Sequence, residues 1–163
     1  GAGASRLREE YGFSQVASRF EDAVSGADFV SLHLASVPAT RHFLDRQRLE
    51  LLPAGSRVIN TARGALVDEI ALCDALAEGR IAGAALDVFE REPYAPASPE
   101  KDLRRLANVI LTPHIGSSTR DACERVARQA LQNIRLAVAG KFQQMDLLNP
   151  EVLAKLGSES STL

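Results

Sequence analysis

Residues 57–68 carry the feature that most limits how this chain can fold. An apolar run that begins at Val58 has the length of a short buried strand. Small and polar residues follow, with Arg63 and Gly64 among them, and a helical pattern starts at Asp68. A strand, a tight turn and a helix in this order are typical of an open α/β sheet, in which ligands bind beyond the carboxyl ends of the strands.

Arg63 stands at such a strand end. Its guanidinium is a planar fork that suits a carboxylate, and Gly64 would let the backbone turn close to a bound ligand. From this stretch alone two interpretations stay open. Arg63 either binds a ligand, or it caps a helix or pairs with an acid at the surface.

The alternation of strand and helix patterns continues along the chain. The residue patterns predict strands at residues 15–17, 29–34, 58–60, 81–88 and 109–112. They predict helices at residues 5–11, 20–25, 45–52 and 68–78, with Ser5 and Asp68 as caps of the first and the fourth and with Leu72 facing inward. They also predict a long helix that Thr119 or Asp121 caps and Gly140 ends. Such an order implies an α/β fold with a parallel sheet and helices on both faces.

Composition and charge narrow the function classes. The chain is 45% hydrophobic and 25% charged, with a formal net charge of −2 and interspersed acids and bases. These values are ordinary for a globular domain and favour neither nucleic acid nor an anionic membrane as a partner. No apolar run has the length of a membrane span. Three histidines and two cysteines at scattered positions give no metal-ligand spacing, so we predict no metal site.

Three blocks of sequence together resemble the D-isomer-specific 2-hydroxyacid dehydrogenases. Residues 60–64 read NTARG, residues 83–93 read GAALDVFEREP, and residues 111–119 read LTPHIGSST, in the order and spacing of that family. The resemblance implies a doubly wound parallel sheet of the Rossmann type, incomplete at its N-terminus, over residues 1–118. It implies a long helix and closing segment over residues 119–150 that lead back toward a second domain. We expect a flexible tail at residues 151–163.

The family's chemistry implies roles for three residues. Reduction of a 2-keto acid requires a cation for the carboxylate and carbonyl, a proton donor, and a carboxylate that orients the donor. By resemblance Arg63 binds the substrate, His114 is the acid/base, and Glu92 orients it. Taken singly, Glu92 could also be loop surface and His114 a helix cap. Related formate dehydrogenases carry glutamine at the position of Glu92, so this carboxylate favours a hydroxy-acid substrate.

The resemblance also implies a cofactor site for NAD, with NADP not excluded. The residues expected to contact the cofactor are His33, Leu34, Ala35, Thr61, Ala62, Arg63, Asp87, His114, Ile115, Gly116 and Ser117. Asp87 would bond the nicotinamide carboxamide, or it caps a nearby loop, because a carboxylate at the end of a buried strand needs a partner. His33 lies near the cofactor, or it is a strand-end histidine bonded to backbone. His42 is predicted to be a surface histidine.

The family resemblance leaves several functions open. The expected protein is an NAD(P)-dependent oxidoreductase, cytoplasmic and homodimeric, with a small 2-hydroxy or 2-keto acid as substrate. The sequence of residues 71–76 and 149–151 favours a phosphoglycerate-dehydrogenase-like member. The alternatives are a non-catalytic, NAD(H)-sensing module like the corepressors of this family, and an inactive fragment. We expect the glycine-rich phosphate loop and the ribose-binding acid upstream of Gly1, so residues 1–163 alone should bind NADH weakly and show no turnover.

Overall fold

The computed structural model describes residues 2–153 of the 163-residue chain, without the side chain of Ala2. Most of the tail predicted at residues 151–163 therefore lies outside the described residues. The chain divides into two compact units, Gly1–His114 and Ile115–Leu163. The first unit contains a sheet and four of the helices given below, and the second contains one long helix.

Four parallel strands form the sheet of the first unit. They are β1 (Phe29–Leu32), β2 (Arg57–Asn60), β3 (Gly83–Leu86) and β4 (Val109–Leu111), and they lie side by side in chain order. Val58 on β2 is in register with Val30 on β1 and with Ala84 on β3. Because all four strands run in the same direction, their carboxyl ends meet at one edge of the sheet.

Two helices precede the sheet, and two more connect its first three strands. The first unit contains α1 (Ala2–Tyr11), α2 (Phe20–Val24), α3 (Arg46–Glu50) and α4 (Glu69–Ala77). Asp45 caps α3 by accepting a hydrogen bond from Arg48 N at 2.9 Å, and Asp68 caps α4 by accepting one from Ala71 N at 3.0 Å. The predicted cap at Asp68 is confirmed, and both carboxylates satisfy amides that have no partner within the helix.

The core of the first unit lies on one face of the sheet. Val58 on β2 is buried together with Leu49 on α3 and Leu72 on α4, in one hydrophobic cluster. The alternate side chains along the strands point away from this cluster. Among them, Phe29 is 62% exposed and Ile110 is 68% exposed. Alternate burial along β1 and β2 follows from the two-residue repeat of a strand.

Several predicted boundaries were wrong. Residues 15–17 are not a strand, because no described strand lies beside them to share a hydrogen-bond ladder. α1 begins before Ser5, so this serine lies inside the helix rather than capping it. β1 ends at Leu32 and β3 spans only Gly83–Leu86, so both strands are shorter than predicted.

The second unit is built on α5 (Arg120–Val138). Thr119 caps it by accepting a hydrogen bond from Ala122 N at 3.2 Å, which selects Thr119 over Asp121. The segment after α5 folds back onto the helix, because Asp146 N donates to Asn133 Oδ1 at 3.2 Å and the Asp146 carboxylate accepts from Gln129. Within residues 2–153, no helix has the length and apolar character needed to cross a bilayer.

Candidate active site

The turn that presents Arg63 is shaped by Asn60, the last residue of β2. Asn60 is 1% exposed, and its side-chain oxygen accepts from Ala62 N at 3.1 Å while its amide nitrogen donates to Arg63 O at 3.0 Å. The Arg63 side chain is exposed and donates to Ala62 O at 2.6 Å. No carboxylate of residues 2–153 lies within 4.0 Å of this guanidinium, which leaves its fork available to a ligand.

Gly64 lies against the backbone of the Phe89 loop. A Cβ atom at this residue would lie 1.9 Å from the carbonyl carbon of Phe89 and 2.4 Å from the amide nitrogen of Glu90. Glycine is therefore required here by this loop, and the expected approach to a ligand stays a prediction. The same contact brings the Arg63 turn and the Glu92 loop together.

Glu92 and His114 form a direct pair. The carboxylate of Glu92 lies 2.8 Å from Nδ1 of His114, and its other oxygen accepts from Phe89 N at 3.0 Å. These two hydrogen bonds, chiefly the one to His114, lower the pKa of Glu92, and the charge of Arg63 acts in the same direction. His114 has a φ of 53°, a left-handed conformation that a non-glycine residue adopts only under constraint.

Asp87 holds the loop that carries His114. Its Oδ1 atom accepts from the Thr112 hydroxyl and from His114 N at 3.2 Å. The loop-capping interpretation of Asp87 is therefore realised in the structure. Among the described residues Oδ2 receives no hydrogen bond, so this oxygen can accept from a ligand at the same edge.

A cavity of about 360 Å³ lies beside the Glu92–His114 pair. Its walls are mostly apolar and are formed by Phe89, Glu92, Pro93, Tyr94, Pro113 and His114. The rings of Phe89 and Tyr94 are 4.8 Å apart, and the Tyr94 hydroxyl accepts from Leu103 N at 2.9 Å. An ionisable pair at the wall of a small apolar recess is the arrangement expected of an acid/base site.

The remaining predicted cofactor residues fall into two groups. His33, Leu34 and Ala35 follow β1, and Thr61 and Ala62 follow β2, at the same edge as Asp87 and His114. His33 is exposed and pairs with the Ser31 hydroxyl at 2.9 Å, not with backbone. Ile115, Gly116 and Ser117 belong to the second unit, where Ser118 N donates to Ile115 O at 2.9 Å in a turn before α5.

Sequence reasoning missed three residues around this site. His42 is not a plain surface histidine, because its ring nitrogen bonds the Glu90 carboxylate and its side chain is only 32% exposed. The sequence predicts no contact for Glu90, since no local pattern connects it to His42. Asn60 could have been found, because an asparagine directly after a buried strand commonly bonds the backbone of the next turn.

The fold and the site together define a parallel α/β domain with an acid/base pair at the carboxyl edge of its sheet. Residues 3–116 match the D-isomer specific 2-hydroxyacid dehydrogenase family over its NAD binding domain. This match covers more than half of the chain. The chain therefore belongs to the D-isomer specific 2-hydroxyacid dehydrogenase family.

Curated relatives of the chain include two kinds of enzyme. The D-3-phosphoglycerate dehydrogenase of Mycobacterium leprae is 41% identical over 123 residues, which is 76% of this chain and 22% of the relative. The glyoxylate reductase of Thermococcus litoralis is 42% identical over 134 residues, which is 82% of this chain and 39% of the relative. The chain thus spans well under half the length of these two relatives.

Solved structures agree with this family. A D-lactate dehydrogenase from Aquifex aeolicus, complexed with NAD and lactic acid, has a TM-score of 0.68 at 32% identity and is matched over 79% of this chain and 42% of its own. A D-isomer specific 2-hydroxyacid dehydrogenase from Xanthobacter autotrophicus, in complex with NADPH and MES, has a TM-score of 0.61 at 40% identity, over 80% and 50%. The predicted Rossmann-type fold is confirmed, and the chain contains only part of it.

Proposed function

We propose that this chain is the cofactor-binding part of an enzyme that transfers a hydride between NAD(P) and a D-2-hydroxy acid or the matching 2-keto acid. The observation that carries the proposal is the Glu92–His114 pair, 2.8 Å apart, at the wall of the cavity beside the carboxyl edge of the sheet. The charge of Arg63 contributes to the lowered pKa of Glu92, so a cation for the substrate carboxylate lies near the pair.

Each residue has a task that follows from its surroundings. Arg63 has no carboxylate partner among the described residues and offers its guanidinium fork to the substrate carboxylate and carbonyl. Glu92 bonds Nδ1 of His114, which leaves Nε2 to give a proton to the developing alkoxide or to take one from the hydroxyl. Because the pKa of Glu92 is lowered, its carboxylate is ionised at neutral pH and stabilises the imidazolium form of His114.

The described residues fit the nicotinamide end of the cofactor. The free oxygen of Asp87 can accept from a carboxamide, and the residues after β1 and β2 end at the same edge. The cofactor, when bound, supplies or accepts the hydride. The NAD complex of the Aquifex relative and the NADPH complex of the Xanthobacter relative support NAD(P), with the choice between them left open.

The test uses the complete gene product. NADH- and NADPH-dependent reduction of glyoxylate, hydroxypyruvate and pyruvate would be measured, together with oxidation of 3-phosphoglycerate and D-lactate. Arg63→Lys should lower kcat/KM by about 10²–10³-fold, because lysine cannot form the two-pronged contact that stabilises developing charge. Arg80→Lys is the matched control, since Arg80 pairs with Glu50 and Glu78 away from the site.

One outcome would count against the role of Arg63, and another against the activity itself. Near-wild-type kcat/KM in Arg63→Lys would remove Arg63 from the mechanism. NADH binding without turnover of any of these acids would favour the NAD(H)-sensing module instead. Calorimetric titration of residues 1–163 with NADH checks the expectation of weak binding by this chain alone, and micromolar affinity would contradict it. The homodimer and the cytoplasmic location stay predictions.

A further inference from the structure

A second imidazole–carboxylate pair lies on the far side of the Glu92 loop. Nε2 of His42 bonds one oxygen of Glu90, and Arg41 lies 3.9 Å from the other. His42 has a φ of 50°, and His42 and His114 are the two non-glycine residues with positive φ in the described part of the chain. A non-glycine backbone held at a positive φ indicates that the surrounding contacts fix it there.

The backbone of His42 is tied to the Arg63 turn. His42 N donates to Ala65 O at 2.7 Å, and two residues later Leu44 N donates to Leu66 O at 2.8 Å. Leu44 and Leu66 are both fully buried, so this tie is anchored in the core. The segment that carries His42 therefore moves with the turn that carries Arg63.

The side chain of His42 is tied to the Glu92 loop. Glu90 is two residues before Glu92, and its amide donates to the Glu69 carboxylate at 2.6 Å. The Glu92 carboxylate in turn accepts from Phe89 N at 3.0 Å. Glu90 is thus held by α4 through its backbone and by His42 through its side chain. Glu92 lies two residues further along this held segment.

We propose that His42, through Glu90, is a positioning residue that sets the Glu92–His114 pair relative to Arg63. This inference rests on the proposed function, because the distance that it controls is the one between the substrate-binding cation and the acid/base pair. His42 joins the two segments that carry them. The contact of Gly64 with Phe89 joins the same segments through backbone, and the His42–Glu90 bond is the side-chain link between them.

Charged groups of mixed sign surround the link. Arg41, Asp68, Glu69 and Arg91 lie around His42 and Glu90, from the segment before β2, from the start of α4 and from the loop itself. Protonation of His42 adds a charge to a hydrogen bond that a neutral imidazole can also donate. The link therefore persists when His42 is neutral and becomes stronger when it is charged.

The deciding experiment is the titration of the Glu92 carboxyl, followed by ¹³C NMR in the 163-residue chain. Glu90→Ala cuts the link and also removes a negative charge close to Glu92. If His42 positions Glu92 through Glu90, the pKa of Glu92 rises in this variant, because its bonds to His114 and Phe89 N loosen. If Glu90 acts only as a charge, the same pKa falls. The two explanations thus predict shifts of opposite sign.

Two further variants separate positioning from folding. His42→Gly removes the imidazole and leaves a residue that adopts positive φ freely, so it cuts the link without backbone strain. His42→Gln keeps a side-chain N–H donor and should restore the wild-type titration of Glu92. Glu50→Ala is the matched control, since Glu50 pairs with Arg80 elsewhere, and it should leave Glu92 unchanged.

In the complete gene product, Glu90→Ala should lower kcat by up to about 10²-fold, the loss associated with a displacement of about 1 Å at a reacting group. The dissociation constant for NADH should change little. A pKa of Glu92 that stays unmoved or falls in Glu90→Ala would overturn the inference, even in an active enzyme. An upward shift in a gene product without dehydrogenase activity would retain the positioning role and reject the proposed function.

Discussion

Two histidine–glutamate pairs flank the same loop and differ in what surrounds them. His114 and Glu92 stand at the wall of an apolar cavity, with side chains 42% and 39% exposed. His42 and Glu90 have side chains 32% and 29% exposed and are surrounded by charged groups, including Arg41 at 3.9 Å. Both histidines have positive φ, so backbone conformation does not distinguish the pairs.

We infer from this difference that the surroundings of a pair, and not its residue types, decide its task. An imidazole that faces a recess can exchange a proton with a ligand there. The imidazole of His42 instead lines a recess of about 230 Å³ whose walls carry charged side chains, and the backbone of its partner Glu90 is held by Glu69, so we expect this pair to hold a segment in place. The pairs therefore predict different effects of equivalent substitutions.

The largest expected effect separates the two pairs by rate. In the complete gene product, His114→Gln should lower kcat by about 10²–10⁴-fold, because it removes the proposed general acid/base. The loss in Glu90→Ala should be smaller, because that variant displaces the acid/base without removing it. Steady-state kinetics with the best substrate would measure both. Equal losses of kcat in the two variants would contradict the different roles proposed for the two pairs.

A second test addresses the backbone contact that both pairs share. Gly64→Ala should destabilise the fold by about 1–3 kcal/mol, because the new methyl group would overlap the Phe89 peptide and force a backbone shift. Gly55→Ala is the matched control, since its Cβ would meet nothing within 4 Å and its φ is not positive. Urea denaturation of the 163-residue chain would measure both. Equal midpoints for the two variants would contradict the close approach at Gly64.

The smallest expected effect concerns pH. The pKa of Glu92 is lowered, first by the hydrogen bond from His114, so ionised Glu92 stabilises the folded state above the ordinary carboxyl range. This stabilisation is lost as the pH falls through the lowered pKa. His114→Gly should raise the pKa of Glu92 toward its ordinary value, as ¹³C NMR would record.

Asp102 serves as an internal reference for that titration. Its pKa is lowered chiefly by a hydrogen bond from Arg104. Both residues precede β4 in the chain, and their bond does not involve His114. It should therefore titrate alike in wild type and His114→Gly. If Glu92 also has the same pKa in both proteins, its hydrogen bond with His114 is not what stabilises the charge of its carboxylate.

The sequence predicted the local parts of this protein well. The order of β1 to β4 along the chain, the cap at Asp68 and the burial of Leu72 on α4 are confirmed, and of the two caps predicted for α5 the structure has Thr119. These features depend on residues within one or two helical turns or on one strand. Their periodicity and capping chemistry are therefore visible in a short window of sequence. The three motif blocks also identified the family.

Tertiary structure alone decided how the segments meet. Gly64 is required by the Phe89 peptide, and His42 bonds Glu90 across 48 residues of chain. No local pattern encodes these contacts, because a parallel sheet brings together strand ends that are far apart in sequence. The residue types of the candidate site were therefore predictable from the chain, whereas the different surroundings of its two histidine–glutamate pairs are decided by packing at the carboxyl edge.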